Sequence, residues 1–204
     1  MLKEIVKVDH LMRPEIQSLE LAIAHGDTAE VEHLVKHHPE LVEIHFPENI
    51  GLTPLMWACR NRHAAIVELL LARGANIHAT NFKDEQSGDG GNTALWFTAQ
   101  GAYPGTVPIA RLLVAHGAEI NTRCEHGTTA FYMAVDWVHM ELVQFLLAHG
   151  ADPSIPNLKG RTPLDQIRKD FEWVKNQENK TGDMKRFELR APLMIAFLEK
   201  LNNG

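Results

Sequence analysis

Apolar residues fall into short clusters with helical spacing, and the same cluster recurs along the chain. Ile66, Leu69 and Leu70 lie at positions i, i+3 and i+4, and residues 142–146 repeat this spacing. Such spacing places apolar side chains on one face of an α-helix. The pattern therefore predicts a series of short amphipathic helices.

Glycine and proline mark the predicted helix ends. Gly74, Gly117 and Gly150 each follow an apolar run, where a helix C-terminus favours a residue in the left-handed conformation. Pro54 and Pro163 stand at predicted first helical positions, where a missing N–H costs nothing. These signals predict helices of only a few turns, joined by polar turns.

Four segments that begin with glycine read nearly alike. They open with GLTPLMWAC, GNTALWFTA, GTTAFYMAV and GRTPLDQI, and the intervals between their glycines are 40, 36 and 33 residues. The first three close with LLLARGANI, LLVAHGAEI and LLAHGADPS. An earlier copy without the glycine, LELAIAHGDTAEVEHLV, occupies residues 19–35. The chain is therefore predicted to consist largely of one structural unit that is repeated several times.

The 33-residue period, the T-P-L opening and the LL..GA close resemble the ankyrin repeat over residues 16–168. The resemblance implies an all-α repeat solenoid of helix-turn-helix units with β-hairpin-like fingers, stacked into a curved array. It predicts one domain of about five repeats with divergent caps. The predicted boundaries are 16–50, 51–90, 91–126, 127–159 and 160–204.

The second predicted finger is longer than the others. NFKDEQSGDGG, residues 81–91, extends it by seven residues. One interpretation is that the extension is a contact arm, with Phe82 as an apolar anchor beside Lys83, Asp84 and Glu85. The other interpretation is a tolerated surface insertion, which reduces the folding free energy only slightly because loop-closure entropy grows slowly with length. Both alternatives stay open at this point.

A second extension and the tail also depart from the regular repeat. GAYPGTVP, residues 101–108, adds three residues between the helices of its repeat, and it offers Tyr103 either as a contact residue or for local repacking. The tail is predicted to close the array with a helix that begins near Pro192; the alternative is a separate partner-binding helix. The predicted buried face of that helix comprises Met194, Phe197, Leu198 and Leu201.

The sequence contains no recognisable catalytic motif. G-x-S-x-G, H-E-x-x-H, the phosphate-binding loop and the dinucleotide fingerprint are missing. Cys59 is expected in the core and Cys124 exposed at a finger tip. The twelve histidines lack a ligand quartet, and the resemblance implies a structural role for His63 and His139. We therefore expect no catalysis, cofactor or metal; an enzyme with an unrecognised site in residues 169–190 is the alternative.

Charge is uneven along the chain. Residues 168–204 contain 8 Lys/Arg and 6 Asp/Glu, which leaves 12 and 20 for residues 1–167 and a net charge of −8 there. An acidic body repels phosphate backbones, so a basic protein is the expected partner and nucleic acid is not. No apolar run reaches the length of a membrane span, and MLKEIVKVDH does not resemble a secretory signal. A cytoplasmic monomer without membrane contact is expected.

The resemblance implies that partners bind at finger tips and on the exposed face of each first helix. Residues four apart share a helix face, so three pairs are expected to form a ladder: Met56 with Arg60, Trp96 with Gln100, and Tyr132 with Asp136. Trp137 lies beside the last pair, and Arg123, Glu125 and Arg161 supply a polar rim at the finger tips.

The same positions depart from the family. Met56, Trp96, Tyr132 and Asp165 replace the histidine of T-P-L-H, which normally ties neighbouring repeats together. The large side chains either meet a partner, as interface aromatics do, or repack the helix layer. Size and acidity resemble small stand-alone bacterial ankyrin proteins, which implies one specific role: covering the site of a toxin or enzyme. The alternative is an effector or adaptor that recruits a host or cellular protein.

Overall fold

A computed structural model describes residues 13–46, 49–83, 90–101 and 105–203. Within these ranges the chain forms ten α-helices, one 3-10 helix at Pro39–Glu43, and no strand beyond an isolated bridge between Phe46 and Leu52. The helices are α1 Arg13–His25, α2 Thr28–His37, α3 Pro54–Asn61, α4 Ala64–Ala72, α5 Ala94–Ala99, α6 Thr106–Ala115, α7 Ala130–Asp136, α8 Met140–Ala148, α9 Pro163–Lys175 and α10 Gly182–Asn202.

The helices form two parallel layers. The first helices of successive pairs, α1, α3, α5, α7 and α9, pack side by side in chain order, and α2, α4, α6 and α8 form the second layer. Each pair also packs internally, and α10 lies against α9. This arrangement confirms the predicted all-α repeat solenoid.

The core lies between the layers and is built from the predicted apolar faces. Leu55 and Ala58 of α3 are buried, as are Phe131 and Ala134 of α7. In the second layer Ile66 and Leu70 are buried and Leu69 is partly so. Ala58 and Ala134 are small, and both lie at 0% exposure where neighbouring first helices pack against each other.

A threonine begins each first helix from α3 onward. The Thr53 side chain accepts a hydrogen bond from Met56 N, and the threonines at 93, 129 and 162 cap α5, α7 and α9 in the same way. Pro54 and Pro163 follow at the first helical position, as predicted. The repeated G-x-T sequence is therefore a finger turn followed directly by a helix cap.

The connections between pairs are hydrogen-bonded fingers. We call them the first to fourth fingers: residues 46–52 apart from 47 and 48, residues 81–92 apart from 84–89, residues 124–128, and residues 157–161. Each closes with at least two backbone hydrogen bonds, as between Cys124 N and Thr128 O and between Gly127 N and Cys124 O. The turn requires a left-handed residue, and Gly127 adopts a φ of 77°.

The closing helix differs from the prediction. Pro192 does not begin it but lies inside the 21-residue helix α10, whose N-cap is Thr181 with its side chain accepting from Met184 N. Met194 and Leu198 are buried as expected, whereas Leu201 is 42% exposed. The expectation was wrong because a capping threonine eleven residues upstream starts the helix, and neighbouring turns tolerate the proline.

No helix in the described ranges combines the length and the apolar content that crossing a membrane requires.

Candidate functional site

Successive fingers are joined by backbone hydrogen bonds. Glu125 N in the third finger donates to Gly90 O in the second at 3.0 Å, and Leu158 N in the fourth donates to His126 O in the third at 2.9 Å. The Asn81 side-chain amide reaches Ile50 O at 3.3 Å. The fingers therefore form one connected row along an edge of the solenoid, and we call it the finger row.

Phe82 is anchored on the first finger while part of its ring faces solvent. The ring stacks on His45 with 4.4 Å between centroids and an interplanar angle of 15°. It also covers Gly51, where an added Cβ would lie 2.2 Å from the Phe82 ring. Because 46% of Phe82 stays exposed, the side chain combines a fixed position with accessible apolar surface.

Lys83 and Glu125 connect the second and third fingers. Lys83 Nζ lies 3.5 Å from a Glu125 carboxylate oxygen, and both side chains are largely exposed. An exposed pair of this kind contributes at most about 1 kcal/mol to folding. Both groups can therefore exchange this pair for contacts with a partner at little cost.

Arg123 and Arg161 hold the fingers together as well as reaching the surface. Arg123 donates through Nε to Gly127 O at 3.2 Å and through Nη2 to Pro156 O at 3.0 Å, which links the third and fourth fingers. Arg161 is half-buried, and its backbone N–H donates to Asn157 Oδ1 at 3.1 Å. The Arg123 guanidinium consequently belongs to the scaffold of the row first and to its rim second, whereas the Arg161 guanidinium donates to Gln166 Oε1 of α9 at 3.4 Å.

Two apolar finger-tip residues escaped the sequence analysis. Leu158 is 71% exposed in the fourth finger, and Ile50 is 39% exposed in the first. Leu158 stands two residues before the turn glycine, the position that Glu125 occupies in the third finger. The sequence did contain a signal for Leu158: its position in the finger faces solvent, so an apolar residue there does not contribute to the core.

The expected ladder on the first helices requires correction. Met56 and Tyr132 are only 1% and 3% exposed, so neither offers a surface for contact. The Tyr132 hydroxyl accepts a hydrogen bond from Asn157 Nδ2 at 2.8 Å, and Met56 Sδ accepts one from Thr53 N at 3.5 Å. These side chains point back toward the finger side of the helices. They therefore do not contribute to the exposed face of the first helices.

The Trp96 side chain also points toward a finger, but it is only half-buried. Its Nε1 donates to Thr128 Oγ1 in the third finger at 3.1 Å. Tyr132 and Trp96 thus each bond to the finger of the following repeat, which is the link that the missing histidines usually provide. Asp165 instead closes the cap of α9 through Thr162 N and Oγ1.

Arg60 and Gln100 are two residues of the predicted ladder that keep some exposure to solvent. Arg60 is exposed, and its guanidinium carbon lies 5.6 Å from the centre of the Trp57 ring. Gln100 is half-buried, and its Oε1 has no hydrogen-bond partner among the described residues. The ladder is therefore reduced to Arg60, Gln100 and one edge of Trp96.

Asp136 and Trp137 lie apart from the finger row, in a groove that we call the cap groove. Its volume is about 420 Å³, and it runs between the end of α7 and the two cap helices. Burial, and secondarily the charge of Asp170, raises the pKa of Asp136 to about 6. Trp137 is 43% exposed at this groove. The groove is lined by Asp136, Trp137, Val138, Asp170, Val174, Asp183, Met184, Arg186, Phe187 and Arg190.

The cysteines do not form a reactive site. Cys59 is fully buried, and burial raises the pKa of its thiol to about 12. Cys124 was expected to be exposed but is only 9% exposed, because it begins the third finger with its sulfur 3.0 Å from Thr128 Oγ1. Within the described residues, no group of three or more His, Cys, Asp and Glu side chains is arranged to hold a metal ion.

The two histidines at equivalent positions contact the preceding repeat, as expected. His63 Nε2 donates to Ala24 O at 3.3 Å and its ring packs against Gly26. His139 Nε2 hydrogen-bonds with Thr106 Oγ1 at 2.8 Å. Both rings therefore stabilise the stacking of helix pairs. Three other predicted contact residues, Asp84, Glu85 and Tyr103, lie outside the described residues.

Family comparisons agree with the stacked helix pairs. The family described as "Ankyrin repeat" matches residues 50–82, and "Ankyrin repeats (3 copies)" matches residues 79–157. Together these matches cover more than half of the chain. The chain belongs to the ankyrin-repeat family.

Relatives of this ankyrin-repeat chain occur in proteins of very different size. It is 31% identical over 130 residues to a putative palmitoyltransferase, ZDHHC13, of Danio rerio, covering 61% of this chain and 19% of the relative. Against the nuclear factor NF-kappa-B p105 subunit of Gallus gallus it is 28% identical over 183 residues, covering 89% and 17%. Against a putative ankyrin repeat protein, FPV031, of fowlpox virus it is 37% identical over 142 residues, covering 66% and 38%. The chain spans well under half the length of each.

Proposed function

We propose that this ankyrin-repeat protein is a non-catalytic binding module that holds a partner protein against its finger row and the adjacent concave face. The carrying observation is that the fingers are bonded to one another while their tips stay accessible. Phe82 and Leu158 are 46% and 71% exposed in such fingers. Exposed apolar side chains on a fixed backbone lose little entropy on binding and are favoured interface anchors.

The finger row also supplies a polar rim. Lys83, Glu125 and Lys159 are exposed beside the two apolar anchors, and mixed charge around an apolar centre is the usual composition of a protein interface. A groove that follows a phosphate backbone would be uniformly basic with stacked aromatic rings. The row therefore favours a protein partner over nucleic acid.

The more specific role that we propose is inhibition of a toxin or enzyme whose active site the row covers. The acidic body supports a basic partner, since opposite charge speeds association. A bacterial origin, a cytoplasmic location and a monomeric free state are part of the same proposal. The alternative role is an effector or adaptor that recruits a host or cellular protein through the same row.

Site-specific photo-cross-linking tests the proposal. A benzophenone amino acid replaces Leu158 or Phe82 in the full chain, and each variant is irradiated in native lysate. We expect one dominant adduct at both positions, and mass spectrometry then identifies the partner. Controls carry the probe at Leu21 and Leu193, which are 58% and 71% exposed on helices away from the fingers. Equal labelling at all four positions, or none, contradicts the proposal.

The identity of the adduct separates the two roles. If the cross-linked partner is an enzyme or toxin, its activity is measured with increasing amounts of the purified protein. Stoichiometric inhibition supports the inhibitory role. Undiminished activity in the saturated complex supports recruitment instead.

A further inference from the structure

We propose that the cap groove binds a basic segment of the partner protein, in which an arginine or lysine lies next to an apolar residue. The inference rests on the proposed function and adds the chemistry of one contact outside the finger row. The charge, the exposed ring and the shape of the groove favour a protein segment as its occupant.

The groove has the size and the walls of a side-chain site. Its volume of about 420 Å³ falls within the range of roughly 300–1,000 Å³ that is usual for binding clefts. Val174, Met184 and Phe187 supply apolar walls, and acidic side chains line the same groove. An amphipathic occupant is therefore favoured over a purely charged one.

The groove is lined by one more acidic than basic side chain, because Asp136, Asp170 and Asp183 share it with Arg186 and Arg190. Asp136 makes no ion pair or hydrogen bond among the described residues, and Asp170 is bonded only by the neutral Gln166 amide at 3.0 and 2.9 Å. Arg186 lies 3.5 Å from Asp183 in an exposed pair. An entering cation would relieve the repulsion between Asp136 and Asp170 in a partly desolvated place, where charge attraction is stronger than in water.

The ionisable surroundings of Asp136 come from four helices, α7 to α10, and from Arg161 just before α9. Tyr132 lies one turn earlier on α7, and Asp170 faces from α9. Asp183, Arg186 and Arg190 line the α10 side. His139, at the start of α8, is hydrogen-bonded to Thr106 on α6. The pKa of Asp136 is raised rather than lowered, so the two arginines do not neutralise it.

Trp137 supplies the apolar and aromatic contact. Its ring is 43% exposed at the lip of the groove, directly after the carboxylate of Asp136 in the chain. A tryptophan face attracts a guanidinium or ammonium group, and the same ring can cover an aliphatic neighbour. The pairing of carboxylate and indole favours an arginine or lysine beside an apolar side chain.

Selection from a random dodecapeptide phage library tests the inference. The immobilised full-length protein is the bait, and clones that also bind the Asp136→Asn, Asp170→Asn double variant are discarded. We expect the surviving clones to share an arginine or lysine next to an apolar residue. Survivors without a shared basic residue, or with an acidic one, overturn the inference, and so does an empty selection.

A synthetic peptide from the selection then gives the quantitative test. Replacing its arginine by citrulline, or its lysine by acetyl-lysine, keeps the shape and removes the charge. We expect affinity to fall at least about tenfold, and to fall similarly with Trp137→Ala. Arg168→Gln, on a different face of α9, is the matched control and should leave affinity unchanged. Equal affinity for the charged and uncharged peptides overturns the inference.

The pH dependence adds an independent readout. Ionised Asp136 binds the cation, so affinity should rise several-fold between pH 5 and pH 7.5, and Asp136→Asn should remove this rise. A rise that persists in the variant contradicts the inference. If the finger tips still cross-link to a partner while the groove variants bind every peptide as the wild type does, the proposed function stands and only this inference fails.

Discussion

At the scale of single residues, the departures from the repeat sequence are explained by what they contact. Tyr132 and Trp96 replace histidine and bond to the finger of the next repeat through Asn157 and Thr128. An aromatic with a polar tip can bury its ring and still satisfy that tip. The substitutions therefore maintain the repeat-to-repeat link with different chemistry.

Replacing Tyr132 by phenylalanine tests this link. The change removes one hydroxyl and leaves the half-buried Asn157 amide without its acceptor, so the free energy of unfolding should fall by about 1 kcal/mol. Urea denaturation measures it. Partner affinity should stay within about threefold, because a buried ring cannot act as a hot spot. A large loss of affinity with unchanged stability would contradict the burial of Tyr132.

Asp136 gives a prediction about pH. Its pKa of about 6 lies above the ordinary value of 3.8, so the ionised form opposes folding: the penalty is absent near pH 3.5 and complete above about pH 7. Asp136→Asn should therefore raise the unfolding free energy at pH 7.5 by about 1–2 kcal/mol, after allowance for partial solvent exposure.

Thermal unfolding at several pH values checks this prediction. Near pH 3.5 the variant and the wild type should unfold at the same temperature in the same buffer. Asp183→Asn is the matched control, because its side chain is 92% exposed and its removal should change stability by less than about 0.5 kcal/mol at any pH. A gain from Asp136→Asn that does not vary with pH would show that charge is not its cause.

These residues also show what the sequence could predict. Helical spacing placed Tyr132 and Asp136 on one helix, and this was sufficient to predict that α7 exists. The Tyr132 hydroxyl is bonded by Asn157, 25 residues away, and the pKa of Asp136 is raised first by burial and then by the charge of Asp170 on another helix. Contacts between repeats require coordinates, because helical periodicity describes each repeat alone.

At the scale of elements, the fingers are fixed by turn geometry and by close approach. Gly127 and Gly150 both have positive φ, at 77° and 93°. A Cβ on Gly127 would lie 2.9 Å from Leu158 N and 2.8 Å from Arg123 Nη2, whereas one on Gly150 would meet nothing within 4 Å. The first glycine therefore serves both the turn and the contact between fingers.

Alanine at these two glycines separates the two roles. Gly150→Ala carries only the strain of a left-handed residue, about 1–2 kcal/mol. Gly127→Ala should cost at least about 1 kcal/mol more, because it also pushes the third and fourth fingers apart. Urea denaturation of both variants measures the difference. Equal losses would mean that the two fingers are not in contact at this point.

The helix boundaries illustrate success and failure at the same scale. Proline predicted the starts of α3 and α9 correctly, and glycine predicted the ends of α4, α6 and α8, since cap and turn chemistry is local. Pro192 misled the prediction for α10, because a proline is compatible with either a helix start or a tolerated interior position. Thr181 decides between them, but only the packing of the cap against α9 shows that the helix extends so far.

At the scale of the whole molecule, the stacked pairs produce a single row of bonded fingers, with the cap groove as a second, separate feature. The repeat period, the T-P-L opening and the LL..GA close together predicted the solenoid through their resemblance to the ankyrin repeat, in which each unit buries its apolar face against the next. The sequence analysis placed Phe82 in the row but missed Leu158, whose importance comes from 71% exposure at a fixed tip.

The most direct test of the finger row is the affinity of the cross-linked partner for the Phe82→Ser, Leu158→Ser double variant, measured by isothermal titration calorimetry. We expect the dissociation constant to rise about 100-fold or more, as for the loss of two interface anchors. The matched control, Leu21→Ser with Leu193→Ser, removes equally exposed leucines from helices and should leave it within about threefold. If both double variants bind like the wild type while remaining folded, the finger row is not the binding surface.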